Sequence, residues 1–120
     1  IALYHNESSE TFLYPHFKVL TTDYDVKVSS KNWLDISENL ANKGYAINQL
    51  QEDYNISKDE TLTFGDYNND LTMLEQSTYS FAMKNAHQNV KDIANYSTKS
   101  NDEFGVEVIL EKLIKAKEAL

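Results

Sequence analysis

The chain has 120 residues and a mass of 13.8 kDa, the size of one ordinary domain rather than two full-sized ones. With 41% apolar residues and 12% aromatics it holds the material for a core, which excludes global disorder. Nineteen acidic residues against eleven basic ones leave a formal charge of −8 with no compensating basic stripe, a poor surface for nucleic acid, and no apolar run approaches the roughly 18 residues that cross a bilayer.

Residues 1–5 read as a short strand, and Ser8-Ser9-Glu10-Thr11 as a polar turn. Phe12 to Leu20 carries apolar residues at mixed spacing around the only proline, Pro15, so a helix there is weakly signalled. Asp25-Val26-Lys27-Val28-Ser29 alternates at period two, and Asn32 to Ile36 reads as a second strand after a Ser-Lys turn. From Lys43 the period becomes helical, with Ala46, Ile47, Leu50 and Tyr54 as the apolar stripe. Thr61-Leu62-Thr63-Phe64, bounded by Gly65, reads as a strand. A short helix around Leu71, Met73 and Leu74 follows, then a strand over Tyr79 to Met83, a brief helix near Val90 to Ala94, and a last short strand over Tyr96 to Thr98. The final helix has Val106, Ile109, Leu110, Leu113 and Ile114 on one face, Ser100 with Glu103 as a capping box, and Lys112, Lys115 and Lys117 towards its negative end.

Strand-helix alternation from residue 43 onward predicts an α/β fold with a parallel sheet. The first third lacks that rhythm, which puts a domain boundary near residues 37–42. There is no cysteine, so disulfides, thiolate nucleophiles and Cys-based zinc sites are excluded. That composition suits a reducing compartment. Ile1-Ala2-Leu3-Tyr4-His5 lacks the basic start and apolar stretch of a signal peptide, so the expected location is cytoplasmic, with no membrane partner.

Chemistry concentrates in Gly65-Asp66-Tyr67-Asn68-Asn69-Asp70, directly after a predicted strand. Ligands of open parallel sheets bind beyond the carboxyl ends of strands. Gly65 would allow a tight turn there, Asp66 could offer a carboxylate to a hard cation such as Mg²⁺, and Asn69 could donate to a phosphate oxygen. Asp70 could brace a lysine or a metal-bound water. The plain alternative is a loop in which Asp and Asn serve as turn formers and caps. A calcium loop fits Asp66, Asn68 and Asp70 as first, third and fifth ligands, but Leu71 replaces its glycine and Ser77 its bidentate glutamate. Asn42-Lys43-Gly44 opens a predicted helix, where an ammonium adds to the attraction of a helix N-terminus for anions; alone, such a lysine is ordinarily just solvated.

Three segments in this order, Asn42-Lys43-Gly44-Tyr45-Ala46, Thr63-Phe64-Gly65-Asp66-Tyr67-Asn68-Asn69-Asp70 through Leu74, and Phe81-Ala82-Met83-Lys84-Asn85-Ala86, resemble the haloacid dehalogenase superfamily. The likeness is to its Cof-type, sugar-phosphate-phosphatase-like branch with the larger α/β cap, and Ser100 to Val106 fits the same branch. The resemblance implies a Mg²⁺-dependent phosphate ester hydrolase acting on a small phosphorylated substrate such as a sugar phosphate. It assigns Lys43 to the transferring phosphoryl group and the nucleophile, Asp66 to the metal, Asn69 to phosphate and Asp70 to support of the site. It further implies a HAD-like core with helices on both faces of its sheet, residues 1–37 being the end of the cap and 38–120 the C-terminal part of the core.

That family starts its reaction from an aspartate in a DxDGT/S segment well upstream of the lysine. Only 42 residues precede Lys43, and they resemble the last part of the cap. Asp23-Tyr24-Asp25 is an Asp-x-Asp, but Val26-Lys27 follows instead of Gly-Thr. The remaining stretch to Lys43 is also too short for a phosphate-binding strand with its crossovers. His5, His16 and His87 show no metal-ligand spacing. The chain alone is therefore expected to be inactive, its site completed by a missing N-terminal half or a second chain. A non-catalytic remnant that binds phosphate or a protein partner is the alternative, and a phosphomutase-like relative a weaker one.

Overall fold

The computed structural model describes residues 1–120 as two three-stranded sheets joined through the segment before Lys43. The first is antiparallel, with strands β1 (Ala2–Tyr4), β2 (Asp25–Val28) and β3 (Trp33–Ser37) in the order β1-β3-β2. Lys27 stands opposite Asp35, and Val28 opposite Leu34. Two one-turn helices, α1 (Ser9–Phe12) and α2 (Tyr14–Phe17), and a 3₁₀ stretch over Lys18–Thr22 connect β1 to β2. Period-two alternation sends Val26, Val28, Leu34 and Ile36 to one side, where they are buried against Leu13, Tyr14, Phe17 and Leu20. Lys27 and Asp35 face the other way.

Two local expectations change here. Ser8 begins a helix rather than a free turn, its hydroxyl accepting the Thr11 N–H at 3.2 Å. The stretch from Phe12 to Leu20 breaks at Leu13 because Pro15, in the first turn of α2, has no N–H to continue the preceding helix.

The second sheet is parallel, as the alternation predicts. It contains β4 (Leu62–Gly65), β5 (Tyr79–Ala82) and β6 (Tyr96–Ser97) in that order, leaving β4 at one edge. Helix α3 (Lys43–Tyr54) leads into β4, α4 (Leu71–Leu74) and α5 (Gln88–Ile93) make the crossovers, and α6 (Gly105–Glu118) closes the chain. Leu74, Ala82, Met83, Ala86 and Val90 form its core, with Phe64, Leu71, Ala94 and Val106 packed around them. Phe64, Phe81 and Tyr96 stack in series across the three strands, with centroids 5.5 and 5.2 Å apart. No helix is long and apolar enough to cross a membrane.

The helical stripes are oriented differently from the expectation. Along α3 it is Gly44, Ile47 and Gln51 that turn inward, and Gln51 is pinned by donating to Thr61 Oγ1 and the Gln76 carbonyl, both at 2.8 Å. Ala46, Leu50 and Tyr54 are exposed, as are Leu110, Leu113 and Ile114 of α6. The Ser100–Glu103 capping box closes the 3₁₀ turn Asn101–Glu103, not α6. The cap residue of α6 is Phe104, in the left-handed region at φ 57°.

Candidate active site

Asn42 sets where α3 begins. Its Oδ1 accepts the Tyr45 N–H at 2.9 Å, satisfying one of the amides that a helix start leaves without a partner. That fixes Lys43 as the first helical residue. Gly44 then lies directly on α4: its N–H donates to Thr72 Oγ1 at 3.2 Å, and a Cβ on it would stand 2.7 Å from the Thr72 carbonyl carbon. Only a residue without a side chain lets the two helices approach this closely, and the approach carries Lys43 to the turn after β4.

That turn is built around Asp70. Its Oδ2 accepts the N–H groups of Asp66 at 2.9 Å and Tyr67 at 3.3 Å, and its own N–H donates to the Tyr67 carbonyl at 2.9 Å. Its Oδ1 receives Lys43 Nζ in an ion pair. Gly65 has no positive φ, which corrects the expectation of a tight glycine turn. Its role is room, since a Cβ there would meet Asp70 Cβ at 2.9 Å and Leu74 Cδ1 at 3.0 Å. The Asp66 carbonyl accepts the His87 N–H at 2.8 Å and the Gly65 carbonyl the Met83 N–H at 3.0 Å, so the segment after β5 holds the turn from the far side.

The charges are unevenly matched. Burial pushes the Asp70 carboxyl up, but the hydrogen bond from Lys43, the Asp66 N–H, the Lys43 charge and the Tyr67 N–H together outweigh it and hold Asp70 below the ordinary carboxylate range. Asp66 goes the other way. Partial burial and the neighbouring Asp70 raise it, and Lys43 only partly opposes them. No cationic side chain forms an ion pair with Asp66. Asp66 is thus the carboxylate that fits a hard cation: exposed, at a turn, and in a setting where a positive ion would relieve the cost of its charge. Asp70 is already committed to Lys43, and no group of three or more acids or histidines gathers anywhere in the chain. Mg²⁺ commonly uses one or two carboxylates with water and substrate oxygens, so one ligand from this chain is compatible with it.

Lys43 and Asn69 both line a cleft of 760 Å³ between the first sheet and the start of α3. Lys43, Asp66 and Asp70 therefore meet through Asp70, and Asn69 stands at the adjoining cleft wall. Asp23 and Asp25 take no part: Asp23 is exposed after the 3₁₀ stretch, and Asp25 pairs with Lys27. His5 and His87 turn their Nδ1 atoms to nearby backbone N–H groups, the local role of turn and cap residues. Thr72, Lys27 and Asp35 were not singled out by the sequence. The alternation of β2 and β3 does put Lys27 and Asp35 on the non-core face, but nothing local says that this face shares a cleft with the start of α3.

A family model of haloacid dehalogenase-like hydrolases matches residues 1–110, and the chain belongs to that family. Within it the chain is of the Cof type. It is 36% identical over 92 residues to the phosphatase YwpJ of Bacillus subtilis (strain 168), covering 77% of this chain and 32% of that protein. It is 34% identical over 91 residues to 5-amino-6-(5-phospho-D-ribitylamino)uracil phosphatase YwtE of the same organism, covering 76% and 32%. The crystal structure of SMU.1108c from Streptococcus mutans UA159 superposes with a TM-score of 0.84 at 33% identity, over 95% of this chain and 44% of that one. The chain thus spans about a third of the length of these two curated relatives.

Proposed function

We propose that this chain supplies the lysine and GDxxND half of the active site of a Mg²⁺-dependent phosphate monoester hydrolase. The observation that carries the reading is the meeting of Lys43 and the Asp66–Asp70 turn through the Asp70 carboxylate. Phosphoryl transfer asks a protein mainly for positioning and for positive charge around the equatorial oxygens. In this reading Lys43 binds the phosphoryl group, Asn69 donates to another of its oxygens, and Asp66 holds the metal. Asp70 holds Lys43 in place. Bound Mg²⁺ would neutralise phosphate charge.

Residues 1–37 are read as the end of a cap and 38–120 as the C-terminal part of the core. The edge position of β4 supports a missing strand beside it, and the buried Thr63 hydroxyl, which has no hydrogen-bond partner, lies on that strand. An N-terminal half or a second chain carrying the aspartate nucleophile would complete the core, and the chain alone is inactive in this view. The lack of cysteine suits a cytoplasmic setting.

The test is hydrolysis of an aryl phosphate by the full-length protein with and without Mg²⁺. Asp66→Asn is expected to lower the metal-dependent rate on the order of a hundredfold or more. A near-normal rate in that variant removes Asp66 from the site.

A further inference from the structure

The first sheet presents an unexplained pair of charges to the cleft. Lys27 and Asp35 are cross-strand partners on the face opposite the one buried against α1 and α2. Both line the same 760 Å³ cleft as Lys43 and Asn69. Directly opposed residues on neighbouring antiparallel strands are close enough to act together. Lys27 is already committed, with its ammonium on Asp25. Asp35 is the only acid on the cleft wall, it is half-buried, and its carboxylate takes part in none of the ion pairs.

We infer that Asp35, with Lys27 beside it, is the specificity-determining group for the leaving group of the ester: it accepts hydrogen bonds from a hydroxyl or amine there and repels a second anionic group. The inference rests on the phosphatase reading for the placement of the phosphate at Lys43 and Asn69. The physical argument is separate. A phosphate held at the Lys43 wall must direct its alcohol part across the cleft, and 760 Å³ is the size of a small-molecule site. Across from that wall the Lys27 ammonium is met by Asp25, which lies outside the cleft, so the Asp35 carboxylate is the charge left uncompensated there. That unpaired carboxylate has acceptor capacity but no donor. A neutral polyol or an amine satisfies that capacity, whereas a carboxylate or second phosphate meets like charge, which is how a site rejects a near-isostere.

The experiment compares two esters of equal carbon count, D-glucitol 6-phosphate and 6-phosphogluconate, which differ in a terminal hydroxymethyl against a carboxylate. With the full-length protein and Mg²⁺, the ratio of kcat/KM is expected to favour the glucitol ester on the order of tenfold. Asp35→Asn should narrow that ratio, and Asp35→Lys should reverse it. A ratio near one in the wild type, or one that neither substitution moves, overturns the inference. If Asp35 serves only to pair strands, the variants depress both esters equally and leave the ratio intact, which also overturns it. Hydrolysis of neither ester by the wild type counts against the phosphatase reading instead. In that case the ratio of Kd values for the same two esters, from titration calorimetry with Mg²⁺, decides the role of Asp35 by the same criteria.

Discussion

Replacing Asp70 by alanine removes the group that both shapes the turn and holds the lysine. The side chain is 6% exposed, so little water replaces what it provides. Three interactions end together: the ion pair with Lys43 and the hydrogen bonds from the Asp66 and Tyr67 amides. A hydrogen bond to a charged group contributes about 1.5–3 kcal/mol, and each amide left without an acceptor costs about 1 kcal/mol or more. Breaking a fully buried ion pair would cost about 3–5 kcal/mol, but Lys43 is 51% exposed and resolvates, so its share is discounted. The expected loss for Asp70→Ala is about 3 kcal/mol, or roughly 12 °C in Tm for a domain of this size. Asp70→Asn keeps an acceptor for the amides and loses only the charge, for about 1 kcal/mol. Because the native Asp70 pKa lies below its unfolded value, near 3.9, its stabilisation is fully present above that value. It is lost as pH falls through the lower native pKa. Thermal unfolding followed by far-UV circular dichroism, near pH 7 and in steps down to about pH 2.5, reads both effects. A Tm change under about 2 °C for Asp70→Ala, or a gap between wild type and Asp70→Asn that widens on acidification, would refute the reasoning.

Gly44→Ala should destabilise by about 2 kcal/mol in urea unfolding, because its methyl group meets the rigid backbone of Thr72, and should weaken phosphate binding by displacing Lys43. Thr63→Val should leave stability unchanged or raise it by about 1 kcal/mol, since the buried hydroxyl has no partner to lose; a fall in Tm would mean that hydroxyl is satisfied. Glu103 is lowered to about 2 by the hydrogen bond from Lys84 and then by Ser100. In a carbon-detected NMR titration, Lys84→Met should move its midpoint up towards the ordinary glutamate range.

The parts of this protein readable in sequence are those fixed by neighbours close along the chain. The strand over Leu62–Gly65 has β-formers and a glycine end, and Lys43 follows a cap residue that forms its own bond within one turn. The motif after β4 likewise folds on itself, since Asp70 bonds amides three and four residues earlier. What could not be read depends on which distant surfaces meet. Periodicity marks Ala46, Ile47, Leu50 and Tyr54 as an apolar stripe, of which Ile47 alone turns inward, because burial on α3 is decided by Thr72 pressing on Gly44 and by the bonds of Gln51. Gly65 signals a bend in sequence, and only the positions of Asp70 and Leu74 reveal that it is needed for space. Lys27 and Asp35 look like ordinary solvent-facing strand residues until the fold sets them in one cleft with Lys43 and Asn69.

Tyr67 belongs to the turn of the parallel sheet, yet its ring packs into the apolar cluster of the antiparallel one and lies 5.3 Å from the His87 ring. A single peptide link separates it from Asp66. Tyr67 is therefore a hinge pin between the layers, and a swivel of one against the other loads the backbone one residue away from Asp66.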